Sequence, residues 1–127
     1  MKLRCTENSI RLRIRKSELM QLAKERRVEE KIRFGKEVIL TFALCIDESV
    51  EQVSANFTNN NLVISLPKAI AIQWMNSNEV GIEVNNPVSD EHSLHLLIEK
   101  DFPCLDRPEE DKSDTFWELA PETPDAC

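Results

Sequence analysis

The chain has 127 residues, 41% of them hydrophobic and 31% charged, with 6 Pro and 2 Gly, a composition that excludes collagen, coiled coil and wholesale disorder. A domain of this size can bury a core without metal or disulfide staples, and no stretch approaches the roughly 18 apolar residues of a membrane helix. The net charge of -7 is unevenly spread: residues 1–36 hold 12 Lys/Arg against 5 Asp/Glu, residues 37–100 hold 2 against 9, and residues 101–127 again hold 2 against 9.

Met1 is followed by Lys2-Leu3-Arg4, charged and strand-like, where an export signal would be apolar. The expectation is a cytoplasmic protein with no membrane span. Residues 9–15 alternate strictly, Ile10, Leu12 and Ile14 opposed to Arg11, Arg13 and Arg15, which predicts a half-buried strand. Ser17 offers a helix N-cap, and Leu19, Met20, Leu22 and Ala23 follow at helical spacing. Alternation returns over 28–34, and Gly35-Lys36 makes a turn. The run 37–47 is apolar on both faces and reads as the most central strand. Val53, Ala55 and Phe57 predict its partner, Asn59-Asn60-Asn61 supplies residues tolerant of positive φ, and Leu62, Ile64 and Leu66 complete a hairpin. Pro67 opens a second helix with Ile70, Ile72, Trp74 and Met75 on its apolar side. Strands at 80–84 and 94–98 close the body.

An offset of 52 lays Ile10, Leu12, Ile14, Lys16, Leu22 and Val28 on Leu62, Ile64, Leu66, Lys68, Trp74 and Val80; an offset of 54 lays Leu40, Phe42 and Leu44 on Leu94, Leu96 and Ile98. The body therefore reads as a single α+β domain over residues 1–101. It contains duplicated strand-helix-strand-strand units, at about 9–47 and 61–101, in a mainly antiparallel curled sheet or barrel with two short helices.

Residues 102–127 form an acidic tail holding four of the six prolines, expected to be largely disordered. Phe116, Trp117 and Leu119 make an apolar island in it, a candidate docking site for a protein partner or a second copy of the chain. The tail serves solubility, or lies on the basic first third. Cys5, Cys45, Cys104 and Cys127 show no zinc-ligand spacing, and no metal or cofactor is expected. A net acidic chain repels a phosphate backbone, which makes nucleic acid an unexpected partner.

The second face of the strands collects Arg11, Arg13, Arg15, Lys31 and Arg33 with Glu83, His95 and Glu99. In a closed barrel these would converge on a polar lumen suited to an anion, with a phosphorylated small molecule as the ligand class. Glu83 and Glu99 are the candidate carboxylates for catalysis, a reading the sequence does not favour. The primary expectation is a non-enzymatic interaction module, with the phosphate-binding barrel as the alternative.

Several segments carry resemblances. N-S-I-R-L-R at 8–13, K-S-E at 16–18, S-L-P-K-A at 65–69 and L-L-I-E-K-D-F-P-C-L-D at 96–106 resemble a family of short bacterial proteins with no assigned function; this covers the body and implies no catalytic residue. Over 62–84, V-I-S-L-P-K-A followed by a helix and E-V-G-I-E-V is similar to the strand-helix-strand of AbrB-type transition-state regulators, DNA-binding modules that build a barrel by dimerising. In topology, a duplicated strand-helix-strands barrel is similar to the tunnel fold of the CYTH triphosphatases. That family's E-x-E-x-K signature is absent here, the nearest residues being Ile98-Glu99-Lys100.

Overall fold

A computed structural model describes residues 1–101. Ten elements follow in order: β1 (Lys2–Thr6), β2 (Ser9–Ile14), α1 (Lys16–Glu25), β3 (Arg27–Arg33), β4 (Ile39–Ile46), β5 (Ser54–Thr58), β6 (Asn61–Leu66), α2 (Lys68–Met75), β7 (Gly81–Pro87) and β8 (Ser93–Lys100). The expected docking island at Phe116, Trp117 and Leu119 and the rest of the tail lie outside the described residues.

The repeat is larger than the alternation predicts. Each half is a hairpin, a helix and a second hairpin, because β1 precedes β2 as β5 precedes β6. β1, β2 and α1 match β5, β6 and α2 at an offset of 52, and β3 and β4 match β7 and β8 at 54. The counterpart of Val28 is thus Ile82, not Val80, since the connection after α2 is longer than the one after α1. Equivalent hydrogen bonds recur at these offsets: Asp47 N to Leu66 O (2.9 Å) and Asp101 N to Ile14 O (2.8 Å), and Thr41 N to Asn60 O (3.0 Å) and His95 N to Asn8 O (2.9 Å).

The halves interleave. The first sheet runs β1-β2-β8-β7 and the second β3-β4-β6-β5, so each sheet takes one hairpin from each half. Hairpins supply the antiparallel pairs, while β2 with β8 and β4 with β6 are parallel. These are two open four-stranded sheets, where a single curled sheet or barrel was expected, and β4 pairs with β3 and β6, not with β5. The two sheets and helices enclose one core, built from Leu12, Ile14, Leu22, Val28, Phe42, Leu44, Ile64, Leu66, Trp74, Leu96 and Ile98. Inward positions on every interior strand are apolar at a period of two, which is why alternation locates β2, β6 and β8. Buried apolar area, not a lumen, fills the space between the sheets.

Local chemistry sets the turns and helix ends. Asn8, Asn59 and Asn60 adopt positive φ in the two hairpin turns, a conformation Asn tolerates better than most side chains. At the start of α1 the cap is not Ser17: Arg15 is the N-cap residue, and its backbone N–H donates to Glu18 Oε1 at 3.0 Å. Glu18 is buried and also accepts from the Arg15 guanidinium (3.1 Å) and the Met1 ammonium (2.6 Å). Burial alone would push its carboxyl upward, but these donors outweigh it and hold the pKa at about 2. In α2, Ala71 and Trp74 are buried and Ile70 and Ile72 are exposed, so the helix turns a different side inward from the one its isoleucines suggest. Lys100 closes the far end of α2, donating to Trp74 O (2.8 Å) and Ser77 O (2.7 Å) with its ammonium 5.7 Å from the Trp74 ring centre. Glu48, between the halves, joins Arg26 (2.8 Å) at the end of α1 to Lys68 (3.1 Å) at the start of α2, and these two cations lower its pKa.

Candidate functional site

The first sheet carries most of the predicted polar residues on its outer face, opposite the core. Strand register places Lys2, Arg13, Glu99 and Gly81 in one row across β1, β2, β8 and β7. The next row holds Arg4, Arg11, Leu97 and Glu83, and the third Thr6, Ser9, His95 and Asn85. Arg11 donates through Nε to Glu99 Oε1, and Arg13 Nε lies 3.6 Å from the same oxygen. Arg13 Nη1 also lies 4.0 Å from Asp101 Oδ1, and Lys2 Nζ lies 3.3 Å from Asp101 Oδ2. The cluster is well shielded for an outer face, with Arg11, Arg13 and Glu99 side chains 21%, 15% and 11% exposed. Gly81 stands beside Glu99, and a Cβ there would come within 3.0 Å of Ile98 O and 3.2 Å of Glu99 Cγ, so the absent side chain leaves that space to the glutamate.

A second group forms one step along the same face. His95 Nε2 is 2.6 Å from Glu83 Oε1, and His95 Nδ1 is 3.0 Å from Ser9 Oγ. A carboxylate only accepts, so Nε2 carries the hydrogen, and in the neutral ring Nδ1 then accepts from the serine hydroxyl. The connectivity is that of a hydroxyl polarised by an oriented base. Its setting is different, because Glu83 is exposed on an open sheet face where water competes for the carboxylate. The group acts as a polar tie across β2, β8 and β7.

The remaining predicted residues go elsewhere. Arg15 leaves the sheet to pair with Glu18 at the start of α1, which raises its pKa. Lys31 and Arg33 are exposed on β3, in the other sheet, opposite Thr41 and Ile39. Arg11, Arg13, Glu83, His95 and Glu99 are therefore brought together, while Arg15, Lys31 and Arg33 do not join them. Glu83 and Glu99 do not form a carboxylate pair, since one is engaged by His95 and the other by Arg11. Ser9 and Asp101 belong to the cluster and were missed, because the parallel pairing of β2 with β8 cannot be read from alternation.

A different feature lies at one end of the second sheet. Ile32, Phe34, Val38 and Phe57 are 43%, 69%, 56% and 64% exposed. Ile32 pairs with Leu40 in the β3–β4 ladder, Phe34 N donates to Val38 O (2.8 Å) just past it, and Phe57 pairs with Leu62, which packs against the core. Their counterparts in the first sheet are Asn86, Val88, His92 and Cys5.

Among the described residues there is no group of three or more His, Cys, Asp or Glu placed to hold a metal, and no helix is long and apolar enough to cross a membrane. Compared with known proteins, residues 1–119 match a family of unknown function, DUF7009. The chain belongs to that family. It matches no curated protein and no solved structure. The similarities to AbrB-type regulators and to CYTH triphosphatases are accordingly not supported, whereas the likeness to an uncharacterised family is.

Proposed function

We propose that this DUF7009 chain is a non-enzymatic interaction module that binds an apolar segment of a partner protein at the free end of its second sheet. The observation that supports this is the exposed set Ile32, Phe34, Val38 and Phe57. Four large apolar side chains on one face cost solvation free energy, on the order of 25 cal/mol for each Å² left in water. The fold does not demand them, because three of the four equivalent positions in the other half hold Asn86, His92 and Cys5. Large exposed apolar side chains gathered at one end of a sheet, here on its edge strands β3 and β5 and on the β3–β4 connection, mark contact surfaces. Phosphate binding by the arginine face gains less support: Glu99 and Asp101 already supply the counter-charge to Arg11 and Arg13.

A photo-crosslinking side chain at position 57, in cells producing the full chain, tests the reading. A discrete adduct is expected, lost when Phe34→Asp is added and absent when the crosslinker replaces exposed Lys24. Equal labelling at both positions, or an adduct indifferent to Phe34→Asp, overturns it.

A further inference from the structure

The first sheet's outer face has its own candidate occupant. Residues 1–100 carry 14 Lys/Arg and 14 Asp/Glu, so the protein's whole net charge of -7 resides in residues 101–127. Four basic side chains, Lys2, Arg4, Arg11 and Arg13, project from the adjacent strands β1 and β2, with Glu99 engaging the two on β2. Their counterparts on the other sheet are Ser54, Asn56, Val63 and Ser65, so the fold itself has no need of them.

The path of the chain connects the two. β8 ends at Lys100, and Asp101 is fixed by its N–H to Ile14 O at 2.8 Å. Its carboxylate lies 3.3 Å from Lys2 Nζ and 4.0 Å from Arg13 Nη1. The first acidic residue of the acidic segment is thus already seated in the basic cluster. From there, crossing two strand spacings of about 4.8 Å to reach β1 takes about three extended residues at ~3.3 Å each. Asp106, Glu109, Glu110 and Asp111 are all within that reach of Arg4 and Lys2.

We propose that residues 102–127 dock along the outer face of the first sheet, their carboxylates meeting Lys2 and Arg4 at its edge, the two cations of the face that Glu99 does not engage. The segment continues what Asp101 begins, and it covers a face distinct from the apolar end of the second sheet. The contact is electrostatic and largely at the surface, so it weakens as salt shortens the screening length from about 8 Å at physiological strength to about 3 Å at 1 M.

The test is paramagnetic broadening in the full chain, with Cys5, Cys45, Cys104 and Cys127 replaced by serine and a spin label on Asp114→Cys. At low salt the amides of β1 and β2 should broaden several-fold more than those of β3 and β5, and 1 M salt (the screening strength above) should abolish the difference. Arg4→Glu with Lys2→Glu, both at exposed positions, should abolish it at low salt too. Broadening that is uniform, that favours β3 and β5, or that survives both high salt and charge reversal overturns the proposal. The salt series on the labelled chain without charge reversal stands alone should the double variant fold poorly.

Discussion

The two sheets are built to one plan and differ chiefly on their outer faces. In the core, Ile10, Leu12 and Ile14 correspond to Leu62, Ile64 and Leu66, and Phe42 and Leu44 correspond to Leu96 and Ile98: apolar residues answer apolar residues. Outward, Arg11, Arg13 and Glu99 of the first sheet correspond to Val63, Ser65 and Cys45 of the second, where Cys45 Sγ and Ser65 Oγ form a neutral contact at 3.4 Å. The same strand pairing therefore accepts an ion cluster or small neutral side chains. What both halves share is set by folding, and what only one carries is free to serve binding.

The comparison breaks most easily in the core. Leu12→Ala and Ile64→Ala remove fully buried side chains at equivalent positions, and each should cost about 2–5 kcal/mol. Trp74→Ala, which empties the largest buried site, should cost about 3–5 kcal/mol. Urea unfolding measures all three. Near-equal losses for Leu12 and Ile64 fit a shared plan, while a neutral effect at either would show that the halves do not bury equivalent strands.

A smaller effect separates the two helix starts. Glu18 caps α1, whereas its counterpart in α2 is Ile70 and Pro67 opens that helix. The carboxyl of Glu18 is held at about 2, below its ordinary 4.5, so its folded-state pKa is depressed. A depressed acid contributes stability in full above its unfolded pKa and loses it as pH falls through the folded one. The window is therefore from about 4.5 down to about 2. Glu18→Gln should lower stability at neutral pH and flatten the acid limb of the stability curve. An unchanged acid limb would contradict the cap.

Much of this plan was legible before any coordinates. Strict alternation marked β2 and β6, two-sided apolarity marked β4 as an interior strand, and the Asn run marked the β5–β6 turn. At β1 only Lys2-Leu3-Arg4 reads as strand-like, and its place in the repeat is not legible, because its residues are mostly exposed on both faces and leave little period for alternation to reveal. The helix sides were misjudged where Ile70 and Ile72 outweigh Ala71 in hydropathy, although packing against the sheets buries the smaller residue. The site was half legible. Alternation puts Arg11, Arg13, Glu83, His95 and Glu99 on the second, polar face of their strands, but only the interleaving of hairpins decides which strands meet. It joins β2 to β8 and sends β3, with Lys31 and Arg33, to the other sheet.

The smallest expected effect bears most directly on the claim that the outer charges serve binding and not folding. Arg11→Val, Arg13→Ser and Glu99→Cys, made together, give the first sheet the outer residues of the second. Because both cations leave with the carboxylate they share, no buried charge is stranded, and exchanging such a cluster for neutral side chains is often close to neutral. Urea unfolding of this triple variant should give a stability no more than about 1 kcal/mol below the parent, since a shielded ion cluster exchanged whole for neutral side chains is often neutral or stabilising. A loss as large as that of Leu12→Ala would contradict the account and make the ion cluster part of what holds the sheet together.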